Sequence, residues 1–250
     1  MRYSNYHTHT VFCDGIDTPR EMVEKAIELG LTELGFSSHS ELCSDIDGYY
    51  ETICTLREEY RDKISIKVGI EYDYYSDIDT SRYDYVIGGL HYLKKGDKLL
   101  ALDMSEEEFL SNVDSYWNGD FYSLCEDYFE TLSKIYEKTE CDIVAHFDLV
   151  TKYNENDKLF DTSNPRYLNA ADRALQTLIK KPVIFEINTG AISRGYRTSP
   201  YPAPRFIEEL KRKGVPIILS SDCHNKNYLT KAFDEYYTLA TLDKLPERKK

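Results

Sequence analysis

Ile64-Ser65-Ile66-Lys67-Val68-Gly69-Ile70-Glu71-Tyr72 alternates between branched apolar residues and small, polar or charged ones. Successive strand side chains point to opposite faces. One face therefore carries Ile64, Ile66, Val68 and Ile70, and the other carries Ser65, Lys67, Gly69 and Glu71. Residues 85–92 follow as another strand, and residues 32–39 and 3–9 precede it. Helical signals separate the upstream strands. Thr18-Pro19 gives an N-cap with proline in the first turn, and Met22, Val23, Ala26, Ile27 and Leu29 form a stripe closed by Gly30. A second helix is predicted over 49–60.

Downstream the order continues. Ser105 with Glu108 has the capping-box pattern, and one long helix is predicted over 121–138. Short apolar strands are predicted at 142–147, 183–188 and 216–221, with helices at 164–179, 204–213 and 229–239. Strand and helix in alternation specify an α/β fold with a parallel sheet. A strand count of about seven suits a closed barrel or an open doubly wound sheet. No G-x-G-x-x-G follows the first strand, so nothing in the sequence supports a dinucleotide fold. Without a repeat, linker or low-complexity stretch, residues 1–250 read as one domain.

Composition narrows the partners. Asp and Glu number 44 against 31 Lys and Arg, a formal net charge of -13. Nucleic acid needs a basic surface that displaces phosphate counterions, and the longest basic runs, Lys211-Arg212-Lys213 and the terminal Arg248-Lys249-Lys250, have only three residues each. A small anion remains open, because a local cationic site outweighs distant charge. Met1-Arg2-Tyr3-Ser4-Asn5-Tyr6 has no apolar h-region, and no apolar run reaches membrane-spanning length. The six cysteines form no C-x-x-C pair, which fits reduced thiols in the cytoplasm. Oligomeric state is left open.

The histidines decide between barrel and open sheet. His7, His9, His39, His91, His146 and His224 each fall at or just past the C-terminal end of a predicted strand, the face on which parallel barrels assemble their sites. One such histidine is unremarkable; all six in that position are not explained by packing alone. In His7-Thr8-His9 an extended backbone puts both imidazoles on one face, and Asp222-Cys223-His224 repeats the spacing with Cys223 turned away. Mixed imidazole and carboxylate donors suit Zn, Mn or Fe. The residues beside the candidate ligands are small or polar: Gly69, Gly89, Ser37 and Ser220. They leave room for ions, or else reflect crowding near a tight axis.

In order, His7-Thr8-His9, Asp14, His39, Glu71, His91, His146 and Asp222-Cys223-His224 resemble the motifs of the polymerase-and-histidinol-phosphatase (PHP) superfamily, and most closely its monofunctional histidinol-phosphatase branch. The resemblance implies a distorted (β/α)7 TIM-like barrel with three divalent ions at the C-terminal face of the strands. It places one ion on His7, His9, Glu71 and Asp222, and a second on Glu71, His91 and His146, with Glu71 as the bridge. Asp14, His39 and His224 would hold the third. One departure is visible: the family commonly reads Asp-His at the second motif, and here Ser38 precedes His39.

Asn188-Thr189-Gly190-Ala191 and the arginine-bearing segment ending Tyr201-Pro202 also resemble the histidinol-phosphatase branch. They imply L-histidinol phosphate as substrate, cleaved by a metal-bridging hydroxide held by Glu71, Asp222 and His224. A guanidinium can grip two phosphate oxygens, with Arg197 as first choice and Arg194 as second. Asp17 and Glu41, in the loops beside Asp14 and His39, are candidates for substrate contact, with an exposed-loop role the simpler reading of both. Two alternatives stay open. One is another phosphoesterase on the same scaffold, acting on a nucleotide, phosphodiester or phosphotyrosine. The other is a non-catalytic metal-binding regulator.

Overall fold

In the computed structural model, which describes residues 3–248, the chain runs through nine strands and nine α-helices. Met1, Arg2, Lys249 and Lys250, parts of the N-terminal stretch and of the terminal basic run, lie outside the described residues. The first half holds β1 (Ser4–Asn5), α1 (Pro19–Glu28), β2 (Glu33–Phe36), α2 (Ile46–Glu59), β3 (Ser65–Asp73) and β4 (Tyr85–Gly89). A hairpin of β5 (Tyr92–Lys95) and β6 (Lys98–Ala101) follows, then α3 (Glu106–Trp117), α4 (Phe121–Leu132) and α5 (Ile135–Thr139). The last part comprises β7 (Ile143–Val144), α6 (Pro165–Leu178), β8 (Ile184–Asn188), α7 (Gly190–Ser193), α8 (Pro204–Arg212), β9 (Ile217–Ser220) and α9 (Phe233–Tyr236).

Seven strands form one sheet in the order β1-β2-β3-β4-β7-β8-β9, and every pairing within it is parallel. The two edges meet at a parallel bridge between Thr8 and Cys223, where the His9 amide donates to the Cys223 carbonyl at 2.9 Å. The sheet thereby becomes a nearly closed barrel, joined at the end where the histidines lie. The expected α/β barrel is the observed one.

Local signals hold where chemistry is local. Thr18 and Glu21 form a reciprocal capping box ahead of α1, and Gly30 turns the chain out of the helix at φ 73°. Ser105 accepts from the Glu108 amide, the forward half of the expected box. Two expectations are corrected. The 121–138 helix breaks into α4 and α5, because Ser133 and Lys134 depart from the α ladder. The 229–239 helix is replaced by short turns around α9, interrupted by Ala232 at φ 62°. The β5–β6 hairpin was unforeseen; its turn carries Gly96 at φ 60°.

Two apolar layers result. Ile66, Val68 and Ile70 pack with Phe185, Ile187 and the helices in the outer layer. Tyr6, Tyr85, Ile87, Ile143, Ala145, Ile184 and Ile218 form the inner one, flanked by Leu242 and Leu245. Tyr85 crosses the barrel and donates to the carbonyls of Tyr6 at 2.5 Å and Phe36 at 3.0 Å. A Cβ on Gly69 would overlap the Tyr85 ring. Of the two readings left open for the small residues, crowding accounts for Gly69. Gly69→Ala should therefore lose about 1–3 kcal/mol of stability as an overpacked core, read from the urea midpoint; a wild-type midpoint would remove Tyr85 from that role.

Candidate metal centre

The C-terminal strand ends deliver all nine predicted residues to one place. Register explains part of this: Glu71 on β3 pairs with Ile87 on β4 and bridges to His39 beyond β2. The His39 and Glu71 side chains then meet, with Nδ1 3.1 Å from Oε2. Glu71 has no solvent exposure and lies between two donor sets. Its Oε2 is 3.1 Å from His7 Nε2 and 3.5 Å from His9 Nε2, while Asp222 Oδ1 is 3.6 and 3.2 Å from the same nitrogens. Its Oε1 is 3.3 Å from His91 Nε2 and 3.1 Å from His146 Nε2. An outer set surrounds Asp14, whose oxygens lie 3.1 Å from His224 Nε2, 3.8 Å from His39 Nε2 and 3.9 Å from His9 Nδ1.

These short distances are not all hydrogen bonds. His7 Nε2, His9 Nε2, His39 Nδ1 and Glu71 Oε2 are buried yet have no hydrogen-bond partner. Unpaired buried polar atoms are costly, and these four lie together in one cluster, His7 Nε2, His9 Nε2 and His39 Nδ1 each within 3.5 Å of Glu71 Oε2. For His7 Nε2, His9 Nε2 and Glu71 Oε2 that arrangement fits donors awaiting cations, whereas His39 meets the outer set through Nε2 and leaves Nδ1 to another partner. Four groups, His7-His9-Asp222, Glu71-His91-His146, His9-Asp14-His39-His224 and His39-Glu41-His91, have donor atoms within 4.8 Å of one another and could each hold a metal ion.

Charge is distributed unevenly among them. Burial works to raise the Glu71 carboxyl, but His7, His39 and His91 hold it well below the ordinary range. Burial likewise opposes ionisation of Asp222, which Arg194 and His7 reverse. Burial would lower His7, His9 and His91, yet all three are raised. Glu186 and Glu71 dominate at His7, the Asp222 carboxylate 3.2 Å from Nε2 lifts His9 to about 10, and Glu71 dominates at His91. At His39 burial prevails and pushes the imidazole down to about 3.

An outer ring orients the ligand candidates. His7 Nδ1 is 2.9 Å from Glu186 Oε2, and Glu186 Oε1 also accepts from the His146 amide at 2.9 Å and from Asn188 Nδ2 at 2.7 Å. His91 Nδ1 is 3.3 Å from Asp73 Oδ2. With Nδ1 occupied, each Nε2 lone pair faces the cluster, the usual outer-shell device for a metal-ligating histidine. Neither Glu186 nor Asp73 was singled out from the sequence. The signal was present: Glu186 is a carboxylate inside the apolar run of β8, and Asp73 shares a face with Glu71.

The loop residues are corrected by the structure. Arg194, the second choice, lies on the cluster: Nη2 donates to Asp222 Oδ2 at 3.1 Å, and Nη1 is 3.2 Å from His224 Nδ1. Gly190 makes this approach possible, since a Cβ there would lie 2.8 Å from Asp222 Oδ2 and 3.0 Å from Arg194 Nη2. Arg197 instead donates to Thr151 Oγ1 at 2.6 Å and Ser199 Oγ at 3.2 Å and sits 4.6 Å over the Tyr201 ring. Asp17 is not an exposed loop residue. It is buried and paired with Lys226 Nζ at 3.1 Å. Glu41 is half-buried beside His39 and His91, where burial pushes its carboxyl up to about 7. Lys152, also unforeseen, is buried at the rim and donates to the Asp103 carbonyl at 2.6 Å.

Comparison with known proteins gives this geometry a context. The histidinol-phosphatase of Bacillus subtilis is 23% identical, over 94% of this chain and 98% of its own. That of Lactococcus lactis is 26% identical, over 90% of this chain and 85% of its own. A crystal structure of the Lactococcus lactis histidinol phosphate phosphatase, complexed with zinc, L-histidinol and phosphate, superimposes with a TM-score of 0.74. It covers 95% of this chain and 92% of its own at 24% identity, a likeness that shows the fold. The PHP domain model matches residues 5–190, from β1 to the first residue of α7, and so takes in seven of the nine clustered residues. The chain belongs to the PHP domain family.

Proposed function

We propose that the chain is a metal-dependent phosphatase that hydrolyses L-histidinol phosphate to L-histidinol and inorganic phosphate. The observation that carries this reading is the set of unpartnered, buried donor atoms converging around Glu71 beneath Arg194. Its substrate is supported by the relatives named histidinol-phosphatase that match along almost their whole length.

His7, His9, Glu71 and Asp222 would hold one divalent ion, Glu71, His91 and His146 a second, and Asp14, His39 and His224 a third. Zinc is the preferred identity, with manganese and iron compatible with the same donors. When bound, such ions activate water as a nucleophile near neutral pH and neutralise phosphoryl charge. The chain's own residues supply the rest. Glu186 and Asp73 fix the tautomers of His7 and His91, so that each Nε2 offers a lone pair. Arg194, already at the rim, presents donors to the phosphate oxygens, and the Asp222 carboxylate aims them. Water displaces the alcohol at phosphorus: the water oxygen forms a P–O bond and gives up a proton, the ester P–O bond breaks, and the departing alkoxide takes up one proton in return.

The proposed ligands run from His7 to His224, which supports reading residues 1–250 as one catalytic unit. Among the described residues no helix is long and apolar enough to cross a membrane. The six free thiols fit a reducing cytoplasm.

Purified protein should carry more than one ion per chain and release phosphate from L-histidinol phosphate. A chelator should stop turnover, and added zinc or manganese should restore it. Because bound ions compete with protons for His7 and His9, metal content should fall on acidification. Full metal occupancy without turnover on any monoester would replace this reading with that of a metal-binding regulator.

A further inference from the structure

An imidazole that ligates through one nitrogen carries its proton on the other, and that proton needs an acceptor. His7 has Glu186, and His91 has Asp73. His39 turns Nε2 toward Asp14, so its proton belongs on Nδ1. Two carboxylates approach that atom: Glu71 Oε2 at 3.1 Å and Glu41 Oε1 at 3.5 Å. Glu71 is already committed, with Oε2 facing His7 and His9 and Oε1 facing His91 and His146. His39 is 8% exposed, and its Nδ1 has no hydrogen-bond partner. Ser38, adjacent in sequence, does not serve, since its own Oγ is buried and unpaired. Glu41 Oε2 lies 3.1 Å from the Ser40 hydroxyl, which accepts from the Asp73 amide at 3.1 Å and shares its one proton between Glu41 and Ser76 Oγ at 2.8 Å.

We propose that Glu41 is a positioning residue: it accepts the Nδ1 proton of His39 and keeps Nε2 directed at Asp14 and His224. Closing the separation from 3.5 Å to hydrogen-bonding range is a shift of well under about 1 Å for a side chain on a loop. Glu41 thus does for the outer donor set what Glu186 and Asp73 do for the other two. The proposal rests on the reading of the cluster as an ion-binding centre.

The test measures metal content and chelator-driven metal release for wild type, Glu41→Ala and Glu41→Gln. Wild type should hold three ions. Glu41→Ala should release one of them about 10–100-fold faster, the range for lost outer-shell partners, while the others stay. Glu41→Gln keeps an acceptor oxygen and should recover most of the retention, a rescue that a merely structural role would not give. Equal release from wild type and Glu41→Ala would overturn the proposal. Equal loss from the Gln and Ala variants would also overturn it, by making Glu41 a direct ligand. Wild-type protein without ions would instead defeat the phosphatase reading itself, so the two failures are distinguishable.

Discussion

Replacing Glu71 with alanine is expected to abolish turnover and to remove more than one ion from the chain. Most ligand substitutions would injure one donor set, but Glu71 serves two through different oxygens, Oε2 toward His7 and His9 and Oε1 toward His91 and His146. It is completely buried, so no water-exposed carboxylate takes its place. Loss of a Lewis-acidic ion forfeits several kcal/mol of transition-state stabilisation. At about 1.36 kcal/mol per factor of ten, kcat/KM should fall by more than about a thousandfold. Metal analysis, phosphate release and a circular dichroism spectrum would be measured together. A folded Glu71→Ala protein with its full ion content and a tenth of wild-type activity would contradict the bridging assignment.

Glu71 also shows what could be read before any coordinates existed. Its strand is legible because β3 has a dry outer face and a polar inner one, and a period of two resolves that asymmetry. The nine clustered residues are legible for a related reason: strand ends are local features, and a parallel barrel sends them all to one rim. Glu186 escaped because β8 is buried on both faces, so the alternation that exposes Glu71 is masked by Ile184, an apolar residue on the same inner face as Glu186. The same limit applies to Gly69, whose missing side chain makes way for Tyr85, a residue of the next strand. The β5–β6 hairpin was missed despite its Gly96-Asp97 turn, because Tyr92–Lys95 and Lys98–Ala101 lack a sustained apolar pattern.

The arginines mark where local reading ends. Arg194 and Arg197 stand three residues apart in one loop, and no property of their neighbours in sequence says which one faces the cluster. Three-dimensional context decides it: α7 ends at Ser193, and the open space above Gly190 lets the next side chain fold back to Asp222. Arg194→Ala should therefore reduce kcat/KM by about a hundredfold to a thousandfold, the range for removing one preorganised donor from a developing anion. Arg194→Lys should recover little, since an ammonium cannot reproduce the planar two-pronged contact. Arg197→Ala should behave differently. Its guanidinium ties Thr151 to Ser199 and covers Tyr201, so its removal should cost about 1–3 kcal/mol in buried hydrogen bonds. In a chain of this size that corresponds to roughly 2–4 °C in Tm per kcal/mol, with kcat/KM changed far less than in Arg194→Ala. Steady-state kinetics and thermal melts on the two variants separate an anion-binding arginine from a loop-bracing one. A larger kinetic loss in Arg197→Ala than in Arg194→Ala, at wild-type Tm, would return the phosphate to Arg197 and leave Arg194 as a partner of Asp222 alone.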